Sequence, residues 1–340
     1  MFIRMCLGAG WTAVYFGLLI GLVGGPAWSQ STGSEAQFRE ITAETAKGVY
    51  LLCRAHNDAV QQMVDSSLNV SRYVMNQAGA VSFSEEPVLW DAINQYTKVT
   101  SQVKLPKMIV GKTWLGQNRS LTTLSPVVDT VKELVGGTCT IFQRMNEAGD
   151  ILRVCTNVEN LDGTRAVGTY IPAVNPDGQP NPVVSTVMKG VTYRGRAYVV
   201  NAWYITAYEP ILDKNGKVVG VLYVGTKQEC VDSVRQGIMD IVVGKTGYVY
   251  VLDQQGRYVI SKDGERDGEN IWDETDADGR LFIQSIIKKA LAGKDGSVDF
   301  ERYPWKNKGE TTARMKVAAV THFSPWDWII CVGAYEDDFK

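Results

Sequence analysis

Apolar and polar positions in this chain keep one period through its first quarter and then change it. Over 35–77, Phe38, Ile41, Thr45, Val49, Leu52, His56, Ala59 and Met63 recur at steps of three and four, with no proline between them. That spacing predicts one long amphipathic helix. At 1.5 Å per residue it reaches ~60 Å, more than one small domain needs, so it reads as a spine along two stacked modules. A shorter helix is predicted over 85–96, where Val88, Ala92, Ile93 and Tyr96 share a face.

Beyond that point the pattern becomes strand-like. Runs 138–145 and 151–158 read as strands joined by the turn Asn146-Glu147-Ala148-Gly149-Asp150. The stretch 172–182 is a proline-rich loop, and 193–208 and 218–225 are further strands linked through Asp213-Lys214-Asn215-Gly216. A second set begins near Ile238. Strands 248–252 and 257–261 flank Gln254-Gln255-Gly256, and an acidic loop fills 263–279. A helix over 280–292 has Asp278 as its expected N-cap and Gly293 as its stop. Strands 297–303, 312–322 and 328–335 complete the set. Both sets close alike, Pro210 leading to VVGVLYVG (218–225) and Pro325 to WIICVGAY (328–335). The echo predicts an α+β fold: a long N-terminal helix carrying two tandem antiparallel-sheet modules. The expected divisions are a leader over 1–30, the spine helix over 31–80, a first module over 81–236 and a second over 237–340.

The leader differs in kind from the rest. Arg4 is followed by no charged residue until Glu35, the run 5–23 is apolar, and Gly24-Gly25-Pro26 precedes Ala27-Trp28-Ser29. Those are the parts of a secretory signal peptide, with an uncleaved membrane anchor as the alternative. Both readings export the remainder. Hydrophobic residues at 45% are enough for a substantial core, and a net charge of −2 offers no field for nucleic acid. Beyond Cys6 lie Cys53, Cys139, Cys155, Cys230 and Cys331, an odd number with no C-x-x-C pair. That argues against a zinc site and a complete disulfide framework; most are expected buried and free, with one bridge left open.

Catalytic signatures are missing. The two histidines, His56 and His322, have no nucleophile motif beside them, and no phosphate loop occurs. Glu274, Asp276, Asp278 and Gly279 imitate a calcium loop, but Ser285 falls where the closing carboxylate belongs, so a turn is expected. No enzyme activity, metal or cofactor is expected.

Three blocks of the first half, TIFQRMNEAGDILRVCTNV (140–158), GTRAVGTY (163–170) and AYEPILDKNGKVVGVLYVGT (207–226), resemble the first module of the Cache 3/Cache 2 fusion family. In the second half, GKTGYVYVLDQQGRYVIS (244–261), GENIWDETDADG (268–279) and FSPWDWIICVGAYEDDF (323–339) are similar to its Cache 2 module. The resemblance covers residue 35 to the end. It implies PAS-like extracellular sensor modules of chemotaxis receptors and sensor kinases, the first distal to the membrane and the second proximal, binding small metabolites beneath the sheet. Two departures stand out. Ser261-Lys262 occupies the place of a His-Pro pair common in Cache 2 modules, and Lys340 falls where relatives continue into a membrane helix, as expected of a soluble periplasmic binding protein or a truncated receptor.

A small carboxylate needs a cationic fork and aromatic walls. Arg153 stands mid-strand between Leu152 and Val154, a costly place for an unpartnered charge, with Tyr170, Tyr193, Trp203, Tyr204 and Tyr208 on the strands and loops around it. Trp203 and Tyr204 point to opposite faces, so a given pocket takes at most one of them. Lys316 is the matching cation in the second module. The plain alternative is that Arg153 pairs with an internal carboxylate and the aromatics fill core. The leading expectation is binding of an organic acid without turnover, reported through a membrane signalling partner. The rival is a ligand-free module that dimerises through the 35–77 helix.

Overall fold

The computed structural model describes residues 29–228, 232–307 and 309–339. The leader lies outside them except for Ser29 and Gln30, and so does Cys230.

Helix α1 (Ser29–Ala78) carries a buried seam of Phe38, Thr42, Ala46, Val49, Cys53, Val64, Leu68, Ser71 and Met75. Leu52 and Met63, placed on that seam by strict counting, sit on the outer flank because steps of three and four drift around a 3.6-residue turn. The buried hydroxyls cost little here: Thr42 donates to the Phe38 carbonyl at 3.1 Å and Ser71 to the Ser67 carbonyl at 2.7 Å. Among the described residues no helix is long and apolar enough to cross a membrane.

The helix expected over 85–96 is instead strand β1 (Val81–Asn94). It pairs antiparallel with β2 (Thr100–Val110), a strand the sequence pattern does not announce, and β2 turns into β3 (Thr113–Trp114). Side chains at Leu89, Trp90, Asp91 and Ala92 alternate exposed and buried, the two-residue period of a half-covered sheet. Pro87 faces Pro106 beside a register shift, so neither interrupts a regular ladder. Long-range pairing overrides the local helical spacing. At the α1–β1 corner, Gly79 and Gly111 pass so close that a side-chain carbon on Gly79 would lie 2.5 Å from the Gly111 Cα.

The first module continues with α2 (Val128–Val135), β4 (Thr138–Arg144), β5 (Ile151–Thr156), β6 (Thr169–Ile171), α3 (Pro182–Val187), β7 (Tyr193–Val199), β8 (Ala202–Leu212) and β9 (Val218–Lys227). The run 193–208 is thus a hairpin, reversed at Val200, whose φ is 58°. The second module holds α4 (Asp232–Met239), β10 (Val242–Val243), β11 (Gly247–Leu252), β12 (Tyr258–Ile260), α5 (Phe282–Ala292), β13 (Asp299–Trp305), β14 (Arg314–Phe323) and β15 (Trp328–Tyr335). Helix α5 stops at Gly293 as expected, but Asp278 is not its N-cap. Leu281 takes the N-cap place without a side-chain bond, while the Asp276 carboxylate accepts from the Asp278 and Arg280 amides and pairs with the Arg280 side chain, closing the turn. Gly293 ends the helix in extended rather than left-handed conformation.

Two sheets result. The nine-stranded one runs β3-β2-β1-β6-β5-β4-β9-β8-β7, and the second runs β10-β11-β15-β14-β13 with β12 also on β11. All pairings are antiparallel except β1 with β6. The walk β5-β4-β9-β8-β7 in the first matches β12-β11-β15-β14-β13 in the second, which is the physical form of the sequence echo. Its centres, β9 and β15, are buried almost throughout. Helix α1 packs on β8 and β9 of one sheet and β14 and β15 of the other. Side chains on that face, such as Ala207, Leu222, Ala319 and Ile330, join one core with the helix. The opposite faces form two separate cores, one under α3 and one under α5. Ligand-sized space opens on that face of the first sheet.

Candidate ligand-binding site

Arg153 is fully buried, on the same face of β5 as Ile151, away from α1. Its Nη1 donates to Thr169 Oγ1 at 2.7 Å and its Nη2 to Gln95 Oε1 at 3.1 Å. The guanidinium lies 5.0 Å from the Phe142 ring centre, and its Nε has no hydrogen-bond partner. Burial lowers its pKa, with Tyr208, Tyr223, Tyr96 and Tyr204 nearby favouring the charge. An arginine keeps its proton even so. No carboxylate pairs with Arg153 among the described residues. Arg165, 2% exposed, has the opposite fate: Asp129 accepts two bonds from it at 2.8 Å.

In front of Arg153 lies a cavity of about 480 Å³ between β7, β8, the 175–182 loop and Gln95-Tyr96. Arg153 stands behind its wall, reached through Gln95 and near Tyr208, both of which line the space. Asn181 builds the far side. Its Oδ1 caps α3 through the Val183 and Val184 amides, while its Nδ2 donates to Tyr96 Oη at 3.1 Å and Asn175 Oδ1 at 2.8 Å. Tyr96 stacks on Tyr198, with centres 6.3 Å apart. Arg196 lies 3.9 Å from the Trp203 ring centre. Gln95, Tyr96, Asn181, Arg196 and Tyr198 carry no sequence signal that separates them from ordinary loop and strand residues.

The expected aromatics divide. Tyr208 lines the cavity, is fully buried, and its hydroxyl has no partner; burial raises its pKa. Trp203 is 42% exposed at the rim, just past the β7–β8 reversal. Tyr193 stands behind, edge-on to Tyr208 and donating to the Arg196 carbonyl at 2.7 Å. Tyr204 is buried in the same core without lining the cavity. Tyr170 packs toward the α1 side, where its hydroxyl accepts from Asn94 Nδ2 at 3.3 Å.

Lys316 is remote from all of these. It faces α5, 1% exposed, with Nζ 3.6 Å from the Tyr248 ring centre, 5.2 Å from Tyr250 and 5.4 Å from Tyr335. No ion pair satisfies it among the described residues. Burial drives its pKa well below the ordinary lysine value, and Lys262 adds to that, while Cys331 and Glu310 oppose it. Gly333 gives it room, because a side-chain carbon there would lie 2.2 Å from Lys316 Cε. Gly333→Ala is therefore expected to cost about 1–3 kcal/mol. The companion change Lys316→Ala should recover part of that loss in urea melts.

Cys53, Cys139, Cys155 and Cys331 are free and buried, and burial pushes the Cys53, Cys155 and Cys331 thiols up to about 12. Such thiols are inert toward redox partners.

Two sheets of one strand order share one long helix, and the first is open on the face turned from it. The sequence pattern of the Cache 3/Cache 2 fusion domain matches residues 29–340. The chain belongs to this family. Cache domains are extracytoplasmic, ligand-binding signalling modules rather than catalytic ones. Among curated proteins, the sensor histidine kinase MctS of Rhizobium johnstonii is 31% identical over 96 residues, which is 28% of this chain and 20% of that protein. The chain thus spans about a fifth of that relative's length. The ligand-binding domain of the Campylobacter jejuni chemoreceptor Tlp3, solved with L-valine, is 13% identical at a TM-score of 0.46, covering 93% of this chain and 99% of that one. A Cache chemosensory domain solved for carboxylic acid recognition is 19% identical at a TM-score of 0.29, covering 32% of this chain and 74% of that one.

Proposed function

We propose that this chain senses a small organic acid, held without turnover in the first module's cavity, outside the cytoplasmic membrane. The observation that carries the reading is a set of unpartnered donors around one space. Tyr208 Oη and Arg196 Nε, on two residues that line it, are buried without hydrogen-bond partners. Each such group costs about 1–3 kcal/mol, which an acceptor-rich guest relieves. The cavity volume suits a metabolite. Asp177 on the lining would receive an ammonium group, so amino acids belong in the test beside plain carboxylates.

In this reading a leader exports the chain, the first module is membrane-distal, and a kinase or chemoreceptor partner receives the signal. Strand β8 provides the link, since Tyr208 meets the cavity while its neighbour Ala207 is buried against the α1 core. A thermal-shift panel of short aliphatic acids, hydroxy acids and amino acids tests it. At a hundred times Kd, a ligand adds about 2.7 kcal/mol of stability. Tyr208→Phe should weaken the responding ligand about tenfold while raising, not lowering, the unliganded melting point. A flat panel, or an unaffected Tyr208→Phe, removes the reading.

The exposed apolar residues Leu51, Leu52, Met63 and Tyr73 on α1 favour a second property, pairing of two copies along that helix. Sedimentation of Leu52→Glu/Met63→Glu against the parent chain tests it, and equal masses refute it.

A further inference from the structure

The two modules meet at a cavity of about 410 Å³ that belongs to neither sheet's own pocket. From the first module come Arg196, Trp203 and Gln228; from the second come Asp253, Arg257, Tyr258, Trp326 and Trp328, with Arg235 of α4 beside them. Its composition is unusual. Three indoles supply flat apolar surface, and three arginines face a single aspartate.

Most of those charges are already engaged. Arg235 pairs with Asp267, and Arg257 Nη1 donates to the Gly268 carbonyl at 2.6 Å. The Asp253 Oδ1 accepts from the Gln255 and Arg257 amides at 2.9 and 2.8 Å. Asp327, outside the lining, accepts from the Gln254 side chain. Arg196 is the exception. Its guanidinium stacks on Trp203, its Nε is buried without a partner, and it pairs with no carboxylate among the described residues. Burial lowers its pKa to about 10, with Asp327 and Asp253 opposing, so it is a cation at neutral pH. Gln228, 8% exposed, has an Oε1 that likewise lacks a partner. An unsatisfied cation calls for an anion, and an unsatisfied carbonyl calls for a donor.

We propose that the module junction is a second ligand site, taking a flat aromatic monocarboxylate that also carries a hydrogen-bond donor. The carboxylate pairs with Arg196, the ring lies against the indoles, and its hydroxyl or amino group donates to Gln228 Oε1. Occupancy acts on the spine directly, because Trp326 Nε1 donates to Asn57 Oδ1 of α1 at 3.0 Å. Arg196 and Trp203 line the first module's cavity as well, so this pair is a shared wall between the two sites.

The probe is 4-hydroxybenzoate, titrated into the full chain and read by tryptophan fluorescence and melting temperature. Gln228→Glu places a carboxylate beside Arg196 and should weaken binding at least tenfold. Arg257→Ala, an exposed position on the lining, removes a positive charge from the rim and should weaken it about threefold. Tyr208→Phe, in the other cavity, should leave it unchanged. Should Gln228→Glu melt early, the Arg257→Ala titration decides. No binding of the probe, equal loss in Tyr208→Phe and Gln228→Glu, or loss in Tyr208→Phe alone overturns the assignment. Aliphatic acids that respond to Tyr208→Phe but not to Gln228→Glu separate this site from the first.

Discussion

Asp129→Ala will destabilise the first module by about 3–5 kcal/mol, because it strands a charge that cannot reach water. All five donors of Arg165 are used: Nε to the Ser120 carbonyl, Nη1 and Nη2 to the Thr156 and Thr123 carbonyls, and one from each to Asp129. Asp129 also accepts from the Ser125 amide at 2.7 Å, ahead of α2. Removing it leaves a guanidinium with only neutral acceptors. Arg153→Met is the informative comparison, since it removes a buried cation that has no carboxylate to strand. Its cost should stay at about 1–3 kcal/mol, the penalty of leaving the buried Gln95 carbonyl without its donor. Urea unfolding of both variants, followed by tryptophan fluorescence, measures the difference. Equal losses would mean that Arg153 is held as firmly by Gln95 and Thr169 as Arg165 is by its aspartate.

Lys316→Met will raise stability at neutral pH and flatten its rise toward alkaline pH. Lysine in an unfolded chain releases its proton near pH ~10.4. In the fold, burial lowers that value well below normal, so between the two the unfolded state binds more protons. Stability therefore climbs with pH across that window and levels off above it. Below the window that lost proton affinity is a standing cost to the fold, which the Lys316→Met change removes. Urea midpoints at pH 7, 8.5 and 10 should rise for the parent and stay level for Lys316→Met. Parallel slopes would show that Lys316 is not the group responsible.

The spine, both central strands and the two-module plan are legible in sequence because each rests on a local period. The 85–96 segment misleads for the same reason. Val88, Ala92, Ile93 and Tyr96 satisfy a helical count, yet pairing of β1 with 100–110 decides the outcome, and no local window contains that pairing. Asp278 has the sequence position of a cap, whereas Asp276 takes the backbone amides because the turn folds back on it. Arg153 was findable from its setting, a charge inside an apolar strand. Its place behind Gln95 and Tyr208, rather than in the cavity, depends on which residues the 175–182 loop brings over the sheet. Trp203 reaches the rim with Tyr208 despite the odd separation between them, since the hairpin reverses next to it. Lys316 could be named but not oriented, until Gly333 and three tyrosines fixed its face.

Helix α1 is unbroken over its 50 residues, and both sheets lean on it. Being ~75 Å long at 1.5 Å per residue, it works as a lever arm, so a tilt of about 2° about one end swings the other by ~2.6 Å. Under the proposed function, a small contact change beside the ligand would arrive at the far tip as a displacement larger than a covalent bond.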